Sequence, residues 1–361
     1  MYRNIVVKVG TSTLSDAEGR IDLDYLGSLA GQLCDLLQAG SRVVLVSSGA
    51  VRAGVEQLGW EQRPRSIALK QTAAAVGQGR LMALYAGAFQ ERGRLVGQVL
   101  LTRQLAQERV RYVYAQNTLQ SLLHHGVVPI VNENDTVAIE ELQFGDNDTL
   151  AALVSALVGA DLLVLLTNVE GLLGADGQVV PRVPEITEEL RGLAGSAGRF
   201  GSGGMATKLS AAEIAGAAGV RTVIARGRRP GVLAEVANGE PVGTCFDLPA
   251  RKLRGRKHWL AYGTQPRGSV TVNTCAADAL VHEHKSLLPV GIVAVRGPFH
   301  LGDTVSVLTE DGRELARGLA SCDWQDVQRV MGARTEQVRE LLGHPGPEEV
   351  VHRDNLVVLN R

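Results

Sequence analysis

The chain has 361 residues, a length that suits about two domains. Hydrophobic residues make up 45%, charged residues 21% and aromatics 4%, so the cores must be aliphatic. A formal net charge of -1 excludes a global attraction to nucleic acid, and no run of about 18 apolar residues exists to span a membrane.

The first expected element is a strand over residues 5–9, entered directly from Met1-Tyr2-Arg3-Asn4. That opening is too short for a secretory signal, which predicts a cytoplasmic protein. Leu23, Leu26, Ala30, Leu33 and Leu37 then recur at helical spacing and stop at Gly40, a residue suited to a helix C-terminus. Further helices are expected over 69–85, 105–123 and 149–158. Between them lie short runs at 43–46, 127–131, 162–166 and 223–225, rich in Val, Ile and Leu and without polar alternation. Such runs mark strands buried on both faces. Strand and helix alternate, which predicts an α/β three-layer sandwich with a mainly parallel central sheet. In such sheets ligands sit at the carboxyl ends of the strands.

The pattern fades after about residue 245. Arg251-Lys252-Leu253-Arg254-Gly255-Arg256-Lys257 is basic and contains glycine, as a linker over 251–268 would. Short β-like runs follow at 270–272, 292–295 and 304–307, with a turn at Asp311-Gly312 and one amphipathic helix around 323–342. The expected division is therefore a first domain over 1–250 and a small, mainly β domain over 269–361. Cys34, Cys245, Cys275 and Cys322 are scattered and form no metal-binding spacing, which predicts reduced thiols. His282 and His284 flank Glu283 without a third ligand in view, the pattern of surface residues.

Polar residues gather just past the apolar runs, at 8–12, 47–50, 132–135 and 167–168. Lys8 interrupts an apolar strand, so it either reaches solvent from an edge or meets a counter-charge; beside Gly10 it would suit a phosphate. Residues 195–204 contain five glycines and run into Met205-Ala206-Thr207-Lys208. A glycine-rich loop opening a helix exposes N–H groups to anions. It is no Walker A loop, because the Gly-Lys-Ser/Thr ending is missing. A lysine in a first helical turn opposes the helix dipole, so Lys208 suits a ligand anion better than a cap, the alternative being a solvated loop lysine. Asp146 and Asp148 flank Asn147 before an apolar helix. One of them could cap it, while a carboxylate pair beside phosphate suggests magnesium. Lysines, a glycine loop and carboxylates are the parts that phosphoryl transfer uses.

Several stretches together resemble the amino acid kinase family with a C-terminal PUA domain, over essentially the whole chain. They are Val7 to Ser12, Val46 to Ala50, Leu69-Lys70-Gln71 with Ala75-Val76-Gly77-Gln78, Val99 to Thr102, Val131 to Asp135, Phe144 to Asp148 and Gly203 to Lys208. The pair Asn-Glu-Asn-Asp and Gly-Asp-Asn-Asp is particular to family members that phosphorylate free glutamate. The resemblance implies ATP-dependent phosphorylation of the L-glutamate γ-carboxylate, the first step of proline biosynthesis. It implies that Lys8 and Lys208 contact the phosphates and that Asp148 orients those lysines or holds magnesium. Ser48, Asp135 and Asn147 would bind glutamate, with Asn132 and Asn134 close by. Thr167, Asn168, Ser202, Gly203, Gly204, Met205, Ala206, Thr207 and Lys208 would line the nucleotide. Mg2+ is expected with ATP, not at a fixed protein site. The family's usual Thr-Asp is here Thr167-Asn168, which leaves the nucleotide contacts less defined than the phosphate chemistry. Feedback inhibition by proline, a homo-oligomer (dimer or tetramer) and a glutamyl phosphate reductase partner are also implied. The stretch around 287–292 with Gly302-Asp303 and Gly312-Arg313 carries the PUA likeness, but the basic linker lacks interleaved aromatics, so RNA binding is not expected. The rival readings are a kinase for another acid or a nucleoside monophosphate, and an RNA-binding protein with an inactive kinase fold.

Overall fold

The computed structural model describes residues 2–62, 64–102, 109–137, 147–196, 204–248, 260–261, 266–343 and 349–359. They form two compact units, the larger drawn from residues 2–248 and the smaller mainly from residues 260–359. The larger unit has strands β1 (Asn4–Val9), β2 (Arg42–Ser47), β3 (Leu95–Leu101), β4 (Val127–Glu133), β5 (Leu162–Thr167), β6 (Arg182–Val183), β7 (Arg221–Arg226) and β8 (Thr244–Phe246). Its helices are α1 (Thr11–Leu14), α2 (Leu23–Gln38), α3 (Ala50–Gln57), α4 (Ile67–Gln90), α5 (Arg109–His124), α6 (Asn147–Val158), α7 (Glu188–Ser196), α8 (Met205–Ala217) and α9 (Val232–Ala237).

The strands make one eight-stranded sheet in the order β3-β4-β2-β1-β5-β7-β8-β6. The first six run parallel, and only the β7–β8 pair is antiparallel. β1 lies at the centre, with Val7 opposite Leu45 on one side and Val164 on the other. Alternate side chains point to opposite faces. Ile5, Val7 and Val9 pack with Leu26, Leu29 and Leu33 of α2, Phe89 of α4 and Val232 of α9. Val6 and Lys8 therefore face the other layer, where α6 packs against β1 and α8. Helix α5 joins α6 through side-chain amides, Gln116 donating to Leu157 O at 3.0 Å and Gln120 to Val158 O at 3.1 Å.

The α/β sandwich is as expected, with local differences. The run at 127–131 continues through Glu133, so Asn132 is a strand residue and not part of the following loop. Strand β3 was not anticipated. It is an edge strand with Leu95 and Leu100 exposed and Val99 and Leu101 buried, and Gly97-Gln98 divides its apolar residues into short pieces. Lys8 belongs to a central strand, which removes the edge-strand reading. Helices α3 and α4 cross with no room for side chains: a Cβ at Gly54 would lie 1.8 Å from Ala73 O, and one at Gly77 1.9 Å from Ala50 O. That crossing fixes the height of Gln78 against β4.

The smaller unit is a five-stranded sheet of β9 (Gly268–Val272), β10 (Ile292–Arg296), β11 (Thr304–Thr309), β12 (Glu314–Leu319) and β13 (Leu356–Val358), ordered β10-β9-β11-β12-β13. Its core holds Val270, Val272, Leu280, Ile292, Phe299, Val305 and Val307. The single helix expected around 323–342 is two, Trp324–Val330 and Thr335–Leu342. Gly332 between them has φ +77, a left-handed conformation that ends a helix. No helix among the described residues is long and apolar enough to cross a membrane. All four cysteines are free.

Candidate active site

Three charged side chains meet at the carboxyl end of β1. Lys8 Nζ lies 2.6 Å from Asp148 Oδ1, and Lys208 Nζ lies 3.0 Å from Asp148 Oδ2. Asp148 is fully buried, and each lysine is only 6% exposed. The pleat sends Lys8 to the α6–α8 face, while Asp148 sits second in α6 and Lys208 fourth in α8. The helix dipole favours Asp148 in its first turn and disfavours Lys208 in its own. Asp148 supplies the counter-charge that both lysines need, and it is neither an N-cap nor a solvated group. The Thr207 hydroxyl stands 3.1 Å from Asp148 Oδ2 and 2.7 Å from Gly204 O. Burying charges costs several kcal/mol per ion unless they are paired. The three groups together carry one net positive charge, which suits them to hold a further anion.

Beside this trio runs a chain of amides. Asn147 Nδ2 is 2.7 Å from Ser48 Oγ, 3.0 Å from Asn132 Oδ1 and 3.4 Å from Ser47 O. Asn132 Nδ2 donates to Gln78 Oε1 at 2.9 Å. Asn147 Oδ1 is buried and has no hydrogen-bond partner among the described residues. Asn134 leaves β4 with its N–H bonded to Leu101 O at 2.8 Å and its Oδ1 2.5 Å from the Thr136 hydroxyl. Asp135 follows in the turn. Burial pushes its carboxyl up to about 6. Ser48, Asn132 and Asn147 are thus brought together, while Asn134 and Asp135 stand just past the end of β4.

On the other side of β1, Thr167 ends β5 and Asn168 follows it, exposed. Asn168 Oδ1 accepts from the Thr13 hydroxyl at 3.1 Å. They adjoin a cleft of about 380 Å³ lined by Ser12, Asp16, Asp22, Asn168, Arg226 and Arg228 among others. Arg228 bonds Asp22 Oδ2 at 2.8 Å and Ser15 O at 2.7 Å, and its guanidinium stacks 5.0 Å over the Tyr25 ring. Gly204, Met205, Ala206 and Thr207 form the start of α8. Ser202, Gly203, Asp146 and the rest of the glycine loop lie outside the described residues. Neither Gln78 nor the two arginines had been assigned a role in the sequence. The signal for the arginines was a basic strand end, Arg226-Gly227-Arg228-Arg229.

Both oxygens of Asp148 face lysines. The described residues contain no group of three or more His, Cys, Asp or Glu side chains placed to hold a metal ion, and His282 and His284 gain no third ligand there.

The model of the amino acid kinase family matches residues 3–226, and that of the PUA domain matches residues 268–342. A glutamate 5-kinase of Microcystis aeruginosa is 47% identical over 369 residues, covering 100% of this chain and 97% of that one. That of Nostoc punctiforme is 48% identical over 367 residues, covering 99% and 100%. That of Moorella thermoacetica is 47% identical over 364 residues, covering 99% and 96%. With two buried lysines converging on one carboxylate at the carboxyl end of a parallel sheet, and relatives aligned from end to end, the chain belongs to the amino acid kinase family.

Proposed function

We propose that the protein transfers the γ-phosphoryl group of ATP to the γ-carboxylate of L-glutamate, giving L-glutamyl 5-phosphate and ADP, the first step of proline biosynthesis. The observation that carries this reading is the buried Lys8–Asp148–Lys208 trio with its net positive charge. The relatives' name, glutamate 5-kinase, supports the choice of acceptor. We place the catalytic domain at 1–250 and the PUA domain at 269–361, joined by 251–268, which the two family matches support.

A γ-carboxylate oxygen forms the new bond to phosphorus as the bridging oxygen leaves with its electron pair on ADP. No general base takes part, because a carboxylate is already ionised at neutral pH. Lys8 and Lys208 stabilise the charge spread over the moving phosphoryl group, and Asp148 holds their ammoniums in place. Magnesium arriving with ATP would supply further charge neutralisation. Ser48 and Asn147 bind glutamate, with Asn132 and Asn134 close by, and Asp135 pairs with its α-ammonium. Thr167, Asn168 and 202–208 receive the nucleotide. Because Asn168 is neutral, its contact to ATP is a hydrogen bond and not a charge pair. The same reading carries proline as a feedback inhibitor, a homo-oligomeric enzyme, and a reductase that consumes the labile product.

The test traps acyl phosphate with hydroxylamine, using ATP, magnesium and glutamate beside aspartate and N-acetylglutamate. Hydroxamate is expected from glutamate alone. None from any acid, with the protein folded, overturns the reading and favours an inactive kinase fold.

Asp135 gives a pH-dependent prediction. Its carboxyl is pushed up to about 6 in the free protein, from an ordinary 3.8. Below pH 6 it is neutral and loses its attraction for the ammonium, so the glutamate KM rises as pH falls from 7 to 5. The linkage has the opposite sign for the unliganded fold. Between pH 3.8 and 6 the folded state holds more protons than the unfolded one, so this group's contribution to stability falls as pH rises through that window. Asp135→Asn therefore raises the glutamate KM about a hundredfold at pH 7 while raising the Tm of the free protein by roughly 2 °C. A glutamate KM that is flat from pH 5 to 7 removes Asp135 from the substrate contacts.

A further inference from the structure

We infer that Gln78 is a positioning residue that keeps Asn132 seated and, through it, holds the Asn147 amide with Oδ1 reserved for the substrate ammonium. The inference rests on the glutamate kinase reading above.

The orientation of the amide chain is set by one group that cannot be turned. The Glu133 backbone N–H lies 2.9 Å from Asn132 Oδ1, and an N–H can only donate. Asn132 must therefore present its oxygen on that side. Its Nδ2 then faces Gln78 at 2.9 Å, so Gln78 must present Oε1. The same Asn132 oxygen, 3.0 Å from Asn147, demands the nitrogen end of that amide, and the Ser48 hydroxyl at 2.7 Å accepts from it as well. Asn147 has its donors committed, and its Oδ1 is left buried with no partner among the described residues. Asn147 is 8% exposed, Asn132 3% and Gln78 9%, so water does not readily scramble the chain. Leaving a buried acceptor unpaired costs stability. The arrangement makes sense for a site that receives a donor, and among the polar groups of glutamate only the α-ammonium donates.

Gln78 is the anchor at the far end. It sits on α4 beside Gly77, where the helix closes on α3 without side-chain clearance, so its height is fixed by packing. Removing its oxygen strands Asn132 Nδ2 in a buried site. Turning the Asn132 amide gives no relief, because Nδ2 would then meet the Glu133 N–H; the side chain instead shifts out of line, and Asn147 loses the oxygen that holds its Nδ2, so its amide is free to turn a donor toward the ammonium.

The experiment compares glutamate with glutarate, which has both carboxylates and no amino group. The full-length enzyme and its Gln78→Met and Gln78→Glu variants are assayed for both acids, glutarate being measured as a competitive inhibitor where its turnover is slow. Gln78→Met is expected to lower kcat/KM for glutamate about 30-fold and to leave glutarate within about threefold, so the preference for the amino acid falls roughly tenfold. The KM for ATP should stay within twofold and the Tm within about 2 °C. Gln78→Glu keeps an acceptor oxygen and should restore most of the preference. Equal losses for both acids would show Gln78 to be a packing residue and overturn the inference. A wild-type enzyme inactive on glutamate would overturn the functional reading itself, and that is visible before any variant is made.

Discussion

Lys208→Ala lowers kcat about a thousandfold and leaves the glutamate KM within a few-fold. Lys208 is the fourth residue of α8 and is 6% exposed, with its Nζ 3.0 Å from Asp148 Oδ2. The helix dipole opposes a cation there, so the position costs stability that no cap or surface role repays. It makes sense if the ammonium meets charge that develops on the transferring phosphoryl group. Such a group acts in the transition state, and its loss falls on kcat more than on KM. The variant should fold, because the truncation removes one of two cations from a site that holds an excess of one. Lys208→Arg should recover little, since a broader planar guanidinium does not fit a pocket shaped around a buried ammonium. Circular dichroism and Tm check the fold, and the hydroxamate assay reads turnover. An unchanged kcat would remove this lysine from the mechanism.

How much of this was legible beforehand depended on what kind of signal each residue leaves. Lys8 was conspicuous because one charge interrupts a purely apolar run. The chain could say that it needed a counter-charge, but the identity of that charge required the pleat and the packing of α6 on β1. Lys208 was read as facing an anion from its conflict with the helix dipole, and the first anion it faces is Asp148. Asp148 itself is ambiguous in the sequence, because a carboxylate near a helix start reads equally as cap, metal ligand or partner; in the fold it is fully buried between two ammoniums. Gln78 left almost no local trace. It lies 54 positions from Asn132, and the glycines that bring α4 down onto α3 look like ordinary helix-weakening residues until the crossing is seen. Strand β3 was missed for a similar reason, since a half-exposed edge strand lacks the continuous apolar run that marks the central ones. In the smaller unit, one amphipathic period spans two helices, and only the left-handed φ of Gly332 separates them.

Asp148→Asn is expected to abolish activity and also to weaken the fold, and the two effects share one electrostatic cause. The carboxylate accepts from Lys8 through one oxygen and from Lys208 through the other. An asparagine keeps one acceptor and turns a donor toward the second ammonium. Two buried cations then face each other with no charge between them, and breaking a buried pair in this way costs about 3–5 kcal/mol. The lysines separate, and neither remains where the phosphoryl group passes, so kcat falls by a thousandfold or more. ATP brings its own negative charge into the gap. The rise in Tm on adding ATP should therefore be larger for Asp148→Asn than for the wild type, although the variant stays inactive. A second substitution separates the causes. Adding Lys208→Met to Asp148→Asn removes one of the opposed cations, so it should recover much of the lost Tm while restoring no turnover. If instead the single variant melts with the wild type and the second change lowers Tm further, the trio is not the electrostatic unit its distances describe, and Asp148 acts on the reaction by another route.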